Sequence, residues 1–327
     1  MIVPKYPFRV EIEVTSVCNL SCNYCFAKPF KNIIPPLDNI EYLIDKTKRE
    51  ANPFELILLG GEPFVRKDIL DILEFAKEKF HSSIGISTNG TLIHKLSLES
   101  IARLKNITDD AGIAIQISLD SINPEINNIN RGFGELTLKG IEILEKNNIK
   151  FNVGIVVTSA NYTDVLNTAR KLLSYENLTS FNLEILQPTF SLSPREFRNL
   201  AIDYNSMSEL HDKIAEEIKK QNKDLLIRGV KLDCTTLGEE QPLISRYEFK
   251  SCSAGLLRAG VLVNGNVTPC LLLRNVNVGN LYKETWKEIW NKSRERYLNL
   301  RTSVGQCTTE NLIRKEESIK AKIKIKS

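Results

Sequence analysis

The chain of 327 residues has no uninterrupted apolar stretch approaching the ~18 residues that a membrane span requires. Its first residues, Met1-Ile2-Val3-Pro4-Lys5-Tyr6, lack the charged-then-apolar order of a secretory signal, so a cytoplasmic location is expected. Charge of one sign is lacking too. Forty-four Lys and Arg against 40 Asp and Glu leave a net +4, too weak and too mixed to point to nucleic acid. There is no internal repeat and no low-complexity linker. Apolar residues at 42% and charged residues at 26% exclude a disordered or fibrous chain, and the length suggests roughly two domains.

What is present is an alternation. Residues 8–15 read as a strand, with Val10, Ile12 and Val14 set against Arg9, Glu11 and Glu13. Residues 54–59, 83–87, 112–119, 151–157 and 181–186 are five further strand candidates, most of them nearly continuous in Ile, Val and Leu. Between them, 40–50, 69–80, 98–105, 136–147 and 165–175 carry helical periodicity. Strands alternating with helices imply parallel pairing with right-handed crossovers, in either an open doubly wound sheet or a barrel. Ser193-Pro194-Arg195-Glu196 opens a long polar helical stretch to about residue 223, with Ser193 as cap. Asn264-Gly265-Asn266 between Val261-Leu262-Val263 and Val267-Thr268 signals a hairpin, and 285–299 an amphipathic helix.

Seven cysteines make an odd number, and three of them fall at Cys18, Cys22 and Cys25, just beyond the first strand. Clustering of this kind in a reducing compartment points to metal or catalysis rather than disulfides. Three thiolates suit an iron–sulfur cluster, whose fourth iron would stay open, or zinc. A structural zinc site needs a fourth ligand, and the nearest of the three histidines, His81, is distant in sequence.

The spacing C-x3-C-x2-C, with the aromatic Tyr24 before the last cysteine, resembles the signature of the radical S-adenosylmethionine (SAM) superfamily. Further motifs agree in order at successive strand ends. These are Gly60-Gly61-Glu62-Pro63, Ser87-Thr88-Asn89-Gly90, Ser118-Leu119-Asp120, Asn130-Arg131-Gly132 and Val153-Gly154-Ile155-Val156. The resemblance implies an α/β fold, a partial (β/α)6 TIM-like barrel, and a [4Fe-4S] cluster held by Cys18, Cys22 and Cys25. It also implies SAM chelated to the open iron. Gly60 and Gly61 would let the backbone approach the methionine part, Glu62 would serve the ammonium or its support, and Pro63 would stiffen the turn. Asn89, Ser118 and Asp120 would meet ribose hydroxyls and methionine polar groups, Arg131 the carboxylate, and Tyr24 with strand 153–157 the adenine. No catalytic side chain is assigned. Taken singly, the glycines and Asn89-Gly90 are also ordinary turn residues, and Ser118 and Asp120 ordinary helix caps.

In the last third, Cys252, the hairpin glycine Gly265 and Cys270 resemble the opening of SPASM and twitch extensions, small α+β modules that hold auxiliary iron–sulfur clusters. Gly279-Asn280-Leu281, the Trp286–Trp290 segment and Leu300-Arg301 before Cys307 agree. Position 310 is Glu310 and no cysteine follows Cys307, so at most one auxiliary cluster is expected, on Cys252, Cys270 and Cys307. Its fourth ligand would be Cys234, Glu310, substrate or nothing; the alternative is a metal-free extension serving as a lid. The expected layout is a core barrel at 1–190, a helical connection at 191–250, the extension at 251–312 and a basic tail at 313–327.

The resemblance implies reductive cleavage of SAM to a 5′-deoxyadenosyl radical that takes hydrogen from a substrate, with ferredoxin or flavodoxin as electron donor. A peptide or protein substrate is favoured over a small molecule such as a sugar alcohol or a tetrapyrrole. Only seven residues precede the first strand, so a peptide would need a separate carrier protein or the region 193–250 for recognition. A non-catalytic iron–sulfur electron carrier and a zinc protein are the readings from other classes.

Overall fold

The computed structural model describes residues 4–27, 32–109, 113–187, 191–221, 223, 225–228 and 254–298. Strand β1 (Arg9–Thr15) is followed by helix α1 (Leu37–Glu50), β2 (Glu55–Gly60), α2 (Ile69–Lys79), β3 (Ser83–Thr88) and α3 (Leu98–Asp109). Then come β4 (Ile113–Ser118), α4 (Pro124–Asn130), α5 (Gly134–Lys146), β5 (Phe151–Val157), α6 (Val165–Leu172) and β6 (Leu178–Ile185). These six strands lie side by side in chain order and every adjacent pair is parallel. A doubly wound sheet would reverse its strand order at a switch point, and this one does not. The order is that of a partial (β/α) barrel, as expected.

Each strand splits its two faces. Val10, Ile12 and Val14 of β1, Leu56 and Leu58 of β2 and Ile115 and Ile117 of β4 are fully buried, in one core with Ile40, Leu43 and Ile44 of α1 and Ile72 and Leu73 of α2. The opposite face is more polar than the near-continuous apolar reading anticipates. It carries Arg9, Glu11 and Glu13 on β1, Gln116 on β4, Asn152 on β5, and Asn182 and Glu184 on β6. Arg9 pairs with Glu55 across β1 and β2, and Asn182 donates to Gln116 across β5. Helices cover the apolar face, so the polar one lines the lumen.

Three departures have local causes. Strand β6 begins at Leu178, ahead of 181, because exposed Thr179 and buried Ser180 interrupt the apolar run without interrupting the ladder. Helix α4 is an addition, started by Asn123, whose side chain caps Glu125 N at 3.0 Å, and by Pro124 in the first turn. The polar stretch from 193 is two helices, α7 (Pro194–Leu200) and α8 (Tyr204–Lys220). Its capping box on Ser193 and Glu196 is as expected, but Asp203 starts a second helix by accepting from Ser206 N at 2.9 Å.

Strand β7 (Leu226–Arg228) extends the sheet beyond β6, while β8 (Arg258–Val261) pairs parallel with β1. The expected hairpin is present: β8 turns at Gly265 (φ +77°) into antiparallel β9 (Asn266–Thr268), and β10 (Gly279–Asn280) completes the sheet. The extension is therefore continuous with the barrel sheet. Buried Arg274 reinforces the join through both nitrogens of a bidentate pair with Glu13 of β1. Helix α9 (Trp286–Leu298) packs on α1. Trp286 Nε1 donates to Thr47 Oγ1 at 3.1 Å, and Trp290 Nε1 to Pro4 O at 3.2 Å. Both indoles are fully buried, so this helix buttresses α1 from outside. Cys234, Cys252, Cys307, Glu310 and the basic tail lie outside the described residues, as does all of 229–253. Among the described residues no helix is long and apolar enough to cross a membrane.

Candidate active site

The cysteine loop leaves β1 at its C-terminal end and is fastened at once to the end of β2. Gly61 N donates to Thr15 O and Glu62 N to Val17 O, both at 2.8 Å. This approach is where the glycines are needed. A Cβ on Gly60 (φ +155°) would lie 2.0 Å from Thr15 O, and one on Gly61 would lie 2.2 Å from Val17 O. The close backbone contact that glycine permits here is thus with the cysteine loop itself.

Glu62 is fully buried and ties β2 to β3. Its Oε1 accepts from Phe64 N at 2.9 Å and Thr88 Oγ1 at 2.6 Å, and its Oε2 from Asn89 N at 2.6 Å. Burial pushes its pKa up, and the three donors oppose that shift. Pro63 begins the buried turn Pro63–Val65 that follows. Asn89 continues the chain of contacts. Its Nδ2 donates to Asn19 Oδ1 at 2.9 Å, while Asn19 Nδ2 donates to Thr91 Oγ1 at 2.8 Å. The residue immediately after Cys18 is thereby bound to the end of β3.

The other side of the loop is bound to the β4 end and helix α4. Asn23 N donates to Asn130 O at 2.8 Å and Asn23 Nδ2 to Ile129 O at 2.7 Å. The buried Tyr24 hydroxyl donates to Asp120 Oδ2, while Asp120 Oδ1 accepts from Val156 N at 3.2 Å and forms an ion pair with Arg131 Nε at 2.9 Å. The Arg131 guanidinium also lies 5.4 Å from the Tyr24 ring centre. Burial works against the Arg131 charge, but Asp120 and Tyr24 outweigh it and hold the group protonated. Ser118 stands half-buried at the end of β4, opposite Gly154 of β5.

Tyr24, Asp120 and Arg131 therefore form one unit, and Glu62 with Asn89 another, with the cysteines on the loop between them. Replacing Tyr24 by Phe would leave a buried carboxylate oxygen without its donor. It is expected to lower unfolding stability by about 2 kcal/mol in a urea titration.

Burial pushes the Cys18 thiol up to about 11, opposed by Leu20 N at 3.4 Å and reinforced by Glu62. Cys22 is raised by burial as well, against the pull of Arg131. Thiolates placed here need a cation. A four-iron cube holds its thiolates at separate corners, and this all-sulfur donor set suits it.

Cys270 lies elsewhere, buried after β9, with Arg258 Nη2 at 3.0 Å from its sulfur. Its expected co-ligands Cys252 and Cys307 are outside the described residues. Sequence reasoning missed Asn19, Asn23 and Thr91, and it quoted Thr88 and Asn130 within their motifs without a role; all five help to hold the loop. The available signal was polar, amide-rich sequence between and beside the cysteines.

The Radical SAM superfamily model matches residues 12–172, and the model of an iron–sulfur cluster-binding domain, SPASM, matches 252–313. The subtilosin biosynthesis protein AlbA of Bacillus subtilis is 26% identical over 308 residues, covering 87% of this chain and 60% of AlbA. An AdoMet-dependent heme synthase of Methanosarcina barkeri is 26% identical over 306 residues, covering 87% of this chain and 82% of the synthase. Streptococcus suis SuiB bound to precursor peptide SuiA superposes with a TM-score of 0.70 at 18% identity, over 88% of this chain and 65% of SuiB. The chain thus spans about two thirds of the length of AlbA and SuiB, and the likeness to SuiB speaks for the fold. With both domain models matched and the cysteine loop fastened at the barrel mouth, the chain belongs to the radical SAM superfamily and carries a C-terminal SPASM domain.

Proposed function

We propose that this chain is a radical SAM enzyme that modifies a peptide or protein. The observation that carries the reading is the cysteine loop, tied to the ends of β2, β3 and β4 so that three thiols stand at the C-terminal mouth of the barrel. In parallel α/β barrels that end of the strands carries the chemistry. Held there by Cys18, Cys22 and Cys25, a four-iron cluster would supply the electron for reductive cleavage of SAM, the chemistry that makes a radical able to take hydrogen from a substrate.

The chain's own residues do the positioning. Cys18, Cys22 and Cys25 would hold the cluster, and Glu62 keeps the β2 and β3 ends in register. Arg131, kept charged by Asp120, offers its guanidinium nitrogens to the SAM carboxylate. Tyr24 and Val156 flank the space for adenine, while Asn89 and Ser118 stand within the same mouth. Cys270 with Cys252 and Cys307 would hold an auxiliary cluster, and a small donor such as ferredoxin or flavodoxin would supply electrons. Residues 1–190 would act as the catalytic barrel and 251–312 as the extension, whose strand β8 pairs with β1.

AlbA and SuiB, the latter solved with its precursor peptide, support a peptide substrate. The heme synthase, of which this chain spans the larger share, supports a tetrapyrrole as the second reading. Deuterium transfer separates the two. A perdeuterated peptide encoded beside this protein is expected to pass deuterium into 5′-deoxyadenosine. Transfer from a tetrapyrrole and none from the peptide would reverse the assignment.

A further inference from the structure

The lumen holds several charged side chains, and their pairing is uneven. Arg9 pairs with Glu55 and lies 4.0 Å from Glu11, Arg258 lies 3.9 Å from Glu11, Arg274 pairs with Glu13, and Arg131 pairs with Asp120. Each of these arginines already has a carboxylate. Glu184 of β6 makes no hydrogen bond or ion pair with any described residue, and it is solvent-accessible.

Its position is well defined. Leu183 before it is fully buried in the helix-facing core, so Glu184 points the other way. Asn182, on the same face, donates to Gln116 and Asn152, and its own carbonyl oxygen is buried without a donor. Glu184 stands opposite Val156, whose N–H is bound to Asp120, so it lies level with the Tyr24–Asp120–Arg131 unit. The charges that act on it come from several sides of the barrel: Arg131 and Arg258, then Glu11 and Arg9. Water reaches the group while protein closes around it, and its partial loss of bulk water raises its pKa.

We infer that Glu184 is a substrate-recognition residue, and that the lumen accepts a substrate carrying a primary ammonium or guanidinium group close to the reacting carbon. Among the described residues the lumen arginines are committed to other carboxylates, so one negative charge is left over. Asn182 adds a second acceptor without a donor. A cation with several N–H donors answers both, in the charge-assisted geometry that carboxylates form with lysine and arginine side chains. The inference takes from the proposed function only that substrate enters the lumen, and it narrows the substrate class to basic side chains.

The test uses the full chain, reconstituted anaerobically with SAM bound, and isothermal titration without reductant. The probes are Nα-acetyl-lysine methylamide and its neutral counterpart Nα-acetyl-norleucine methylamide. The lysine probe is expected to bind about tenfold more tightly, as one charged hydrogen-bonded pair would give. Glu184→Gln should erase that preference, and Glu184→Lys should transfer it to Nα-acetyl-glutamate methylamide.

Equal binding of the first two probes by the native chain, or no binding of either, overturns the inference. So does a Glu184→Gln variant that loses affinity for SAM while keeping the probe preference. Because no turnover is involved, failure here with intact SAM cleavage leaves the functional reading standing. Failure of SAM cleavage with an intact probe preference does the reverse.

Discussion

Replacing Cys22 by alanine is expected to abolish SAM cleavage while leaving the fold intact. The Cys22 side chain makes one recorded contact, its sulfur 3.9 Å from Arg131 O, and it is half-buried. Its loss therefore removes little packing. A cube that has lost one of three protein thiolates loses its attachment at that corner, and with it the charge that the loop is built to neutralise. Circular dichroism and the thermal midpoint should match the parent protein, whereas bound iron and sulfide fall by a cluster and 5′-deoxyadenosine formation disappears. Full activity in this variant would contradict the assignment of the loop.

The second large effect is at Gly60. In Gly60→Ala the new Cβ would lie 2.0 Å from Thr15 O at a φ of +155°, which L-residues rarely adopt. Neither Thr15 nor the β1–β2 ladder can retreat without breaking the hydrogen bond from Gly61 N. Destabilisation of about 3 kcal/mol is expected, read from the shift in urea midpoint at constant slope. Gly132→Ala is the control. Gly132 also has a positive φ, +90°, but nothing lies within 4 Å of the added Cβ, so only backbone strain of about 1 kcal/mol is expected. Similar losses in the two variants would mean that backbone conformation, and not the approach to the cysteine loop, is what Gly60 provides.

Much of the barrel is legible in the residues themselves. The ends of β1, β2, β3 and β5 follow from apolar runs bounded by turns, and α1, α2 and α5 from periodicity. Strand order is not legible from periodicity, because both a doubly wound sheet and a barrel need the same alternation. The family resemblance chose between them, and the unreversed strand order from β1 to β6 bears it out. Helix α4 was masked by its length and by polar residues such as Asn127, Asn128 and Asn130, whose helical role depends on tertiary contacts. Asn127 Oδ1 accepts from Asp120 N, and Asn130 Nδ2 donates to Thr158.

The site shows the same division. Three thiols at close spacing announce themselves, since few other structures need them. The groups that hold the loop do not, because Asn19 meets Asn89 and Thr91 some seventy residues away and Tyr24 meets Asp120 nearly a hundred away. Such pairings arise only once parallel strands bring their ends together. Glu62 is a related case. The motif marks it, but its fully satisfied burial between β2 and β3 is a tertiary fact.

The measurement closest to the centre of this account is a single anaerobic reaction. The chain is loaded with iron and sulfide, reduced with dithionite and given SAM without any substrate. 5′-Deoxyadenosine and methionine should appear together, in amounts that rise with cluster occupancy. A preparation carrying a full four-iron cluster that returns all of its SAM intact would contradict the account.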